Sequence, residues 1–393
     1  MSTKIQIDNA AGNLVVDGQS ISSAITANAQ SAGQTLMSGS DLSWSYQDAF
    51  LSWRNKLING SMAIAQRGGS TVSSVNSSQA YAPDRWCLLN ATATAVSVQR
   101  DTVVPTASGF TNSLTVLTTS ATNSTGAQNI ILIQRIEGAN LQELQYGTSS
   151  AKPLTASFWV RSSVAGTYSG AVAMYPVSGS NVASYVWTYT IDAANTWEKK
   201  VITIPGNQTY AMPTSSAGYM GFVFDLGSGP SAETTAGSWQ LGDFCRTSSS
   251  VKWANNASVY FYVTGVQLEV GTVATPFEHL PYSESLNLCK RYYARMSAAS
   301  TTSVFASGCW GTTTLAWFHL KYEQQMRSAP TITLSGLTAS NGSNKTYTSR
   351  GSVYAGTDSA LFGVNTSTAA TIGNGAILIA TSTTGYIELN AEL

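Results

Sequence analysis

From residue 58 to about residue 270 the chain alternates apolar and polar positions with a period of two. Leu154, Ala156, Phe158 and Val160 are separated by Thr155, Ser157, Trp159 and Arg161. Met220, Phe222, Phe224 and Leu226 are separated by Gly221, Val223 and Asp225, and Tyr260, Tyr262, Thr264, Val266 and Leu268 by Phe261, Val263, Gly265 and Gln267. Successive side chains of a strand point to opposite faces, so each run reads as a strand with one face toward a core. Clusters of Gly, Pro, Asn and Ser separate the runs, and no helical pattern intervenes. Many short strands joined this way predict an antiparallel sandwich or barrel. The extent suits a jelly roll with long loops.

The two ends read differently. Ile5 and Ile7 alternate with polar residues, Asn9 to Gly12 reads as a turn, and Leu14 to Val16 follows, which predicts a small hairpin. Residues 19–40 are rich in Ser, Ala, Gln and Gly and read as a linker or a weak helix packed on partners. Tyr46, Phe50, Trp53 and Leu57 are spaced i, i+4, i+7, i+11, one face of a helix. Pro281, Ser283 and Glu284, followed by Leu286, Cys289 and Tyr293 on one face, predict a helix over 281–296. Strand-like runs resume at 303–310, 314–320, 331–334 and 376–380, and the chain ends in Tyr386–Leu393. The expected organisation is an N-terminal attachment segment with a linker helix (1–54), a jelly-roll β-sandwich (55–282) and a smaller C-terminal β-domain (283–393). For 393 residues, two or three domains fit the usual domain size.

Composition narrows the function. Lys plus Arg and Asp plus Glu are 20 each, and charged residues are only 10% of the chain. Neutrality with scattered cations argues against nucleic acid as a partner. Ten Trp and 18 Tyr are the opposite of a disordered composition. The 54 Ser and 46 Thr give a neutral, hydroxyl-rich surface of the kind common in β-rich extracellular and viral proteins. No apolar run is long enough for a membrane helix, and Met1-Ser-Thr-Lys-Ile-Gln-Ile-Asp8 has no signal-peptide core. No membrane insertion is expected, and synthesis and retention in a cytosol until lysis are. Cys87, Cys245, Cys289 and Cys309 form no CxxC spacing, so four ordinary thiols, mostly buried, are expected rather than a disulfide framework or a zinc site.

Three segments carry a resemblance. They are Asn55-Lys-Leu-Ile-Asn-Gly-Ser-Met-Ala-Ile-Ala-Gln-Arg-Gly-Gly69 with Tyr81-Ala-Pro-Asp-Arg-Trp86; Gly265-Val-Gln-Leu-Glu-Val-Gly-Thr-Val-Ala-Thr-Pro-Phe-Glu278 with Pro281-Tyr282 and Leu288-Cys-Lys-Arg-Tyr-Tyr293; and Met326-Arg-Ser-Ala-Pro-Thr-Ile-Thr333 with Ala391-Glu-Leu393. Together they resemble a module of bacteriophage tail fibres and other virion surface proteins, whose middle part resembles carbohydrate-binding-module jelly rolls. Arg135-Ile-Glu137 and Thr196-Trp197 fit its interior pattern, whereas His279-Leu280 stands where the module has a basic pair. The resemblance spans roughly residues 55–393. It implies a homotrimer in the virion tail, assembled in the host bacterial cytoplasm, with residues 1–54 joining phage tail or baseplate proteins and the distal end recognising a host surface glycan or receptor. Read as residues alone, the same motifs are fold determinants. Charges at strand ends in so charge-poor a chain are expected to be paired or hydrogen-bonded.

Chemistry is sparse. His279 and His319 stand outside any nucleophile-elbow context, Gly227-Ser-Gly229 lacks a following Lys-Ser/Thr, and the carboxylates Glu137, Glu143, Asp243 and Glu269 show no paired acid–base spacing. No catalytic residue, cofactor or metal ligand is assigned, and no residue set specifies a structural calcium. The binding signal is aromatic. Tyr185, Trp187 and Tyr189 share one face of a strand, which is either a sugar-stacking platform, sandwich core or a subunit interface. Tyr347 and Tyr354 flank Ser349-Arg350-Gly351, read as a turn, and are expected at an exposed distal surface, with Asn365 in loop-rich sequence nearby. The expected function is non-enzymatic recognition of the host surface by a tail fibre. The alternatives are a purely structural adaptor or head decoration, and a surface-glycan depolymerase.

Overall fold

The computed structural model describes residues 53–68, 77–175, 182–212, 215 and 218–393, together with the backbone of short strands at 5–8, 13–16, 19–20, 34–38, 44–48 and 73–75. Near the N-terminus, β1 (Ile5–Asp8) pairs antiparallel with β2 (Asn13–Val16), the hairpin expected there, and β2 with β3 (Gln19–Ser20). β4 (Gln34–Ser38) pairs with β5 (Trp44–Asp48). Most of the linker expected over 19–40, and Phe50, lie outside the described residues.

The helix expected through Tyr46 and Leu57 is not formed. Residues 44–48 are strand β5, and Trp53 and Asn59 have φ of 64° and 59°, incompatible with a right-handed helix. The physical reason is tertiary. The Trp53 and Asn55 amides donate to the Glu278 carboxylate at 2.6 and 3.0 Å, the Lys56 amide donates to the Leu268 carbonyl, and Asn55 Oδ1 accepts from the Leu57 and Leu268 amides. The segment is bonded to residues 266–278, far away in the chain, rather than to itself. Leu57 is buried while Trp53 is half exposed, so the two do not share a face.

The next thirteen strands form two antiparallel sheets. They are β6 (Ser73–Val75), β7 (Ser78–Tyr81), β8 (Cys87–Asn90), β9 (Val96–Asp101), β10 (Ser113–Thr118), β11 (Ile130–Glu137), β12 (Leu154–Ser162), β13 (Gly166–Tyr175), β14 (Ala183–Ile191), β15 (Glu198–Ile204), β16 (Tyr219–Asp225), β17 (Trp239–Leu241) and β18 (Tyr260–Val270). One sheet has the order β15-β12-β18-β10-β9-β6, the other β17-β14-β13-β16-β11-β8-β7. The three strongest period-two runs of the sequence are β12, β18 and β16, the first two adjacent in one sheet and the third in the facing sheet. Leu154, Phe158, Val160, Phe261 and Leu268 from the first sheet meet Trp187, Phe222 and Phe224 from the second in one core. This is the expected jelly-roll β-sandwich.

A short helix, α1 (Tyr282–Lys290), leads to the C-terminal part. It stops well before residue 296 because Tyr293–Ser297 is a strand, β19, hydrogen-bonded to the last strand. The remaining strands are β20 (Val304–Trp310), β21 (Leu315–Lys321), β22 (Thr331–Ser335), β23 (Leu337–Ser340), β24 (Tyr347–Ala355), β25 (Ser359–Thr366), β26 (Gly375–Ala380) and β27 (Tyr386–Asn390). A three-stranded sheet β19-β27-β22 covers a six-stranded sheet β23-β26-β20-β21-β25-β24, with Trp310, Phe318, Phe362, Leu378, Ile387 and Leu389 between them. The turn expected at Ser349-Arg350-Gly351 is instead the irregular middle of edge strand β24, where the pairing with β25 shifts register, and Asn365 lies in β25 rather than a loop. The register shifts interrupt the alternation at residues 348–350, which hides the strand's period.

Candidate functional site

The sequence motifs converge at the seam between the two parts. The Gln66 amide and side chain donate to Asp84 at 3.0 and 2.6 Å, and the same side chain donates to the Tyr293 carbonyl at 2.7 Å. The Arg67 guanidinium lies 3.5 Å from the Tyr293 ring centroid and 4.6 Å from that of Tyr81. Arg85 lies 3.5 Å from the Tyr292 ring centroid and donates to Glu392 and to the Arg135 carbonyl. Arg135 donates to the Leu393 carbonyl, and Arg327 to the carbonyls of Ala391 and Glu392. Glu137 accepts two hydrogen bonds of 2.9 Å from Arg291 and one of 2.6 Å from the Tyr292 hydroxyl. Burial pushes the Glu137 carboxyl up, but the bonds from Arg291 and Tyr292 outweigh it and hold the group below its ordinary range. The C-terminal Ala391-Glu392-Leu393 is thus clamped by arginines from both parts. His279 packs against Phe110 and Phe277 in the irregular segment before the helix at 282–290. The motif residues act as fold determinants at a buried joint.

The candidate rings fall in two different environments. Tyr185, Trp187 and Tyr189 do share a face, but that face is the sandwich core: Trp187 is 3% exposed, stacks on Phe222 and packs against Phe158. They are not a surface platform, because the facing sheet supplies the aromatic partners a ligand would need to replace. Tyr347 is half-buried against the C-terminal core. Tyr354 is 66% exposed, and its ring centroid lies 6.1 Å from that of Trp317 with the planes tilted by 35°.

This pair sits on the outer face of the six-stranded sheet. On β21, Ala316, Phe318 and Leu320 point into the core, so Leu315, Trp317, His319 and Lys321 form the outward row. Leu361 of β25, itself 41% exposed, is the register partner of both His319 and Tyr354. Glycine makes room for Trp317 and Leu315. A Cβ on Gly311 would meet the Trp317 indole at 2.6 Å, and Gly351 and Gly363 lie against each other beside the Leu315 side chain. Asn365 donates to the Ser349 hydroxyl at 3.0 Å at one margin, and Lys321 is paired with Asp358 at 2.9 Å at the other. The surface offers two adjacent ring faces for apolar C–H groups, hydroxyl and amide groups and the His319 imidazole for hydrogen bonding, and a Lys321 charge paired with Asp358. Sequence reasoning singled out Tyr354. Trp317, paired with Leu315, reads as core from alternation alone.

The candidate carboxylates are engaged in structure. Glu143 is paired with Lys56, Glu269 is hydrogen-bonded by Gln267 and Thr275, and Asp243 accepts from the Tyr175 hydroxyl. Among the described residues no three His, Cys, Asp or Glu side chains gather as a metal site, and no helix is long and apolar enough to cross a membrane. Cys87, Cys245 and Cys289 are buried free thiols, and Cys309 is an exposed one.

No family model matches this chain, and no curated protein does. Several solved structures are similar. A candidate sugar-binding protein from Bacteroides thetaiotaomicron aligns over 56% of this chain and 100% of its own, at 12% identity and a TM-score of 0.35. A family 11 carbohydrate-binding module of Clostridium thermocellum aligns over 52% of this chain and 97% of its own, at 15% identity and a TM-score of 0.27. The enzymatically active domain of bacteriophage CBA120 tailspike protein 4 aligns over 55% of this chain but 21% of its own, at 14% identity and a TM-score of 0.29. At these values the likeness says nothing of ligand or activity.

Proposed function

We propose that the chain is a non-enzymatic virion surface protein, a phage tail fibre, and that the outer face of its C-terminal sheet recognises a host surface glycan. The observation that carries the recognition reading is the Trp317–Tyr354 pair, two neighbouring rings displayed on a rigid sheet with Tyr354 66% exposed. Tyr354 is joined by Leu361, its register partner and 41% exposed, and by Trp317, so the apolar groups form one contiguous patch, the feature that marks a binding surface. The pairing of Lys321 with Asp358 favours a neutral or weakly charged partner, and sugars present apolar C–H faces ringed by hydroxyls. The phage assignment is supported by the motif resemblance. In this reading residues 1–54 join the tail, three copies assemble, and the seam holds the recognition domain fixed on the sandwich.

The test is adsorption of the purified full-length chain to host cells and to polysaccharide extracted from them. Replacing Trp317 and Tyr354 by Ala should leave the fold intact, since neither ring is in the core. It should cut adsorption by roughly tenfold or more, because one exposed stacked ring is worth about 1 kcal/mol and several copies multiply the loss. Unchanged adsorption by the double variant overturns the reading. A fall in polysaccharide chain length on incubation overturns its non-enzymatic part.

A further inference from the structure

The outward row of β21 ends at a cavity of about 380 Å³, within the size range of small-ligand sites. It opens where β19 and β27 meet the start of β20 and the end of β21. Ala294, Met296, Phe305 and Met326 give it an apolar side, and Ser297 and Gln324 bring polar groups. Three cations also line it, and each already has a carboxylate partner: Lys290 with Glu323, Arg295 with Glu388 at 3.1 Å, Lys321 with Asp358 at 2.9 Å. The cavity therefore offers hydrogen-bond donors without excess charge. Lys321 belongs to both features. It lines the cavity and is the last outward residue after Trp317 and His319, so cavity and rings lie on one line, separated by four residues or about 13 Å of strand.

We infer that this cavity takes the terminal, uncharged sugar residue of a linear glycan whose following residues lie along β21 over Trp317 and Tyr354. The inference rests on the glycan reading above and adds to it a mode of binding, by the chain end. The apolar side accepts the C–H face of a pyranose, and the polar wall accepts its hydroxyls. A carboxylate-bearing end would find no cation free to receive it.

The test uses the full-length chain and fluorescently labelled oligosaccharides released from the surface polysaccharide of a strain it adsorbs to, compared with the same oligosaccharides trimmed of the terminal residue by an exoglycosidase. Wild type should bind the intact series at least about tenfold more tightly, a difference of about 1.4 kcal/mol. Ser297 is exposed at the end of β19, so Ser297→Trp fills the cavity from its wall; Gln324→Trp does so from the loop after β21 and serves if the first variant misfolds. Either filled variant, with an unchanged melting curve, should bind intact and trimmed oligosaccharides alike. An intact-end preference that survives filling overturns the inference, as does tighter binding of an acidic end. If filling is silent while the Trp317 and Tyr354 variants lose binding, the cavity assignment alone fails. If all variants bind like wild type, or no oligosaccharide binds, the glycan reading fails with it.

Discussion

Changing Glu392 to Gln removes one negative charge from the seam and leaves every side chain's volume nearly unchanged. Its partner Arg85 is one of the largest fully buried side chains, with only 1% of its side chain accessible, and Glu392 itself shows 6%. Removing one partner of a buried pair costs about 3–5 kcal/mol, because the remaining charge stays desolvated. Two features reduce that here. Gln keeps an acceptor oxygen, and Arg85 retains the Tyr292 ring at 3.5 Å and the Arg135 carbonyl. The loss should lie near the lower end, about 3 kcal/mol, and Glu392→Ala should lose more. In urea, at slopes of about 1–3 kcal/mol per molar, the midpoint should fall by roughly 1 M or more. The joint couples two cores, so the C-terminal part should also begin to unfold separately from the sandwich, visible as two transitions in tryptophan fluorescence. Asp358→Asn is the control: its pair with Lys321 is more than half exposed on both sides, so water screens it and its loss should leave the midpoint nearly unmoved. If Glu392→Gln shifts the midpoint no more than that control, the seam is not the buried charge joint described above.

Other outcomes follow from the same geometry. Trp187→Ala should destabilise the sandwich by about 3–5 kcal/mol in chemical denaturation, as removal of a large core ring does, whereas an exposed sugar platform would lose almost nothing. Glu137, whose carboxyl is held below its ordinary range, contributes stability that is present above its unfolded pKa near 4 and lost as pH falls through the lower folded value. The stability gap between wild type and Glu137→Gln should therefore be full at pH 6–7 and narrow below about pH 4; a gap independent of pH refutes this. On the tail-fibre proposal, and not from this geometry, light scattering on the full-length chain at micromolar concentration should give three times the mass of the 41.4 kDa chain, and a monomer mass refutes that part of it.

Local pattern determined much of the architecture. Runs such as 154–161, 220–226 and 260–268 become β12, β16 and β18 because inter-sheet burial imposes a period of two directly on the residue choice. The motifs around Arg67, Arg85 and Glu392 were legible as fold determinants because a charge-poor chain keeps few charges without partners. What alternation cannot say is which face meets a second layer. Tyr185, Trp187 and Tyr189 show the same signature as a surface platform, and only the facing sheet, with Phe158 and Phe261, makes them core. Trp317 is the converse: its neighbours Ala316 and Phe318 take the core side, so the larger ring is left outside. Edge strand β24 escaped detection because its register shifts break the alternation, and the helical spacing of Tyr46 to Leu57 was overridden by hydrogen bonds to Glu278 and Leu268, more than two hundred residues away. The convergence of residues 66, 84, 137, 291 and 392 on one joint belongs to the same class. Burial, pairing partners and the relation of one part to another depend on contacts remote in sequence, and these exist only once the chain has closed on itself.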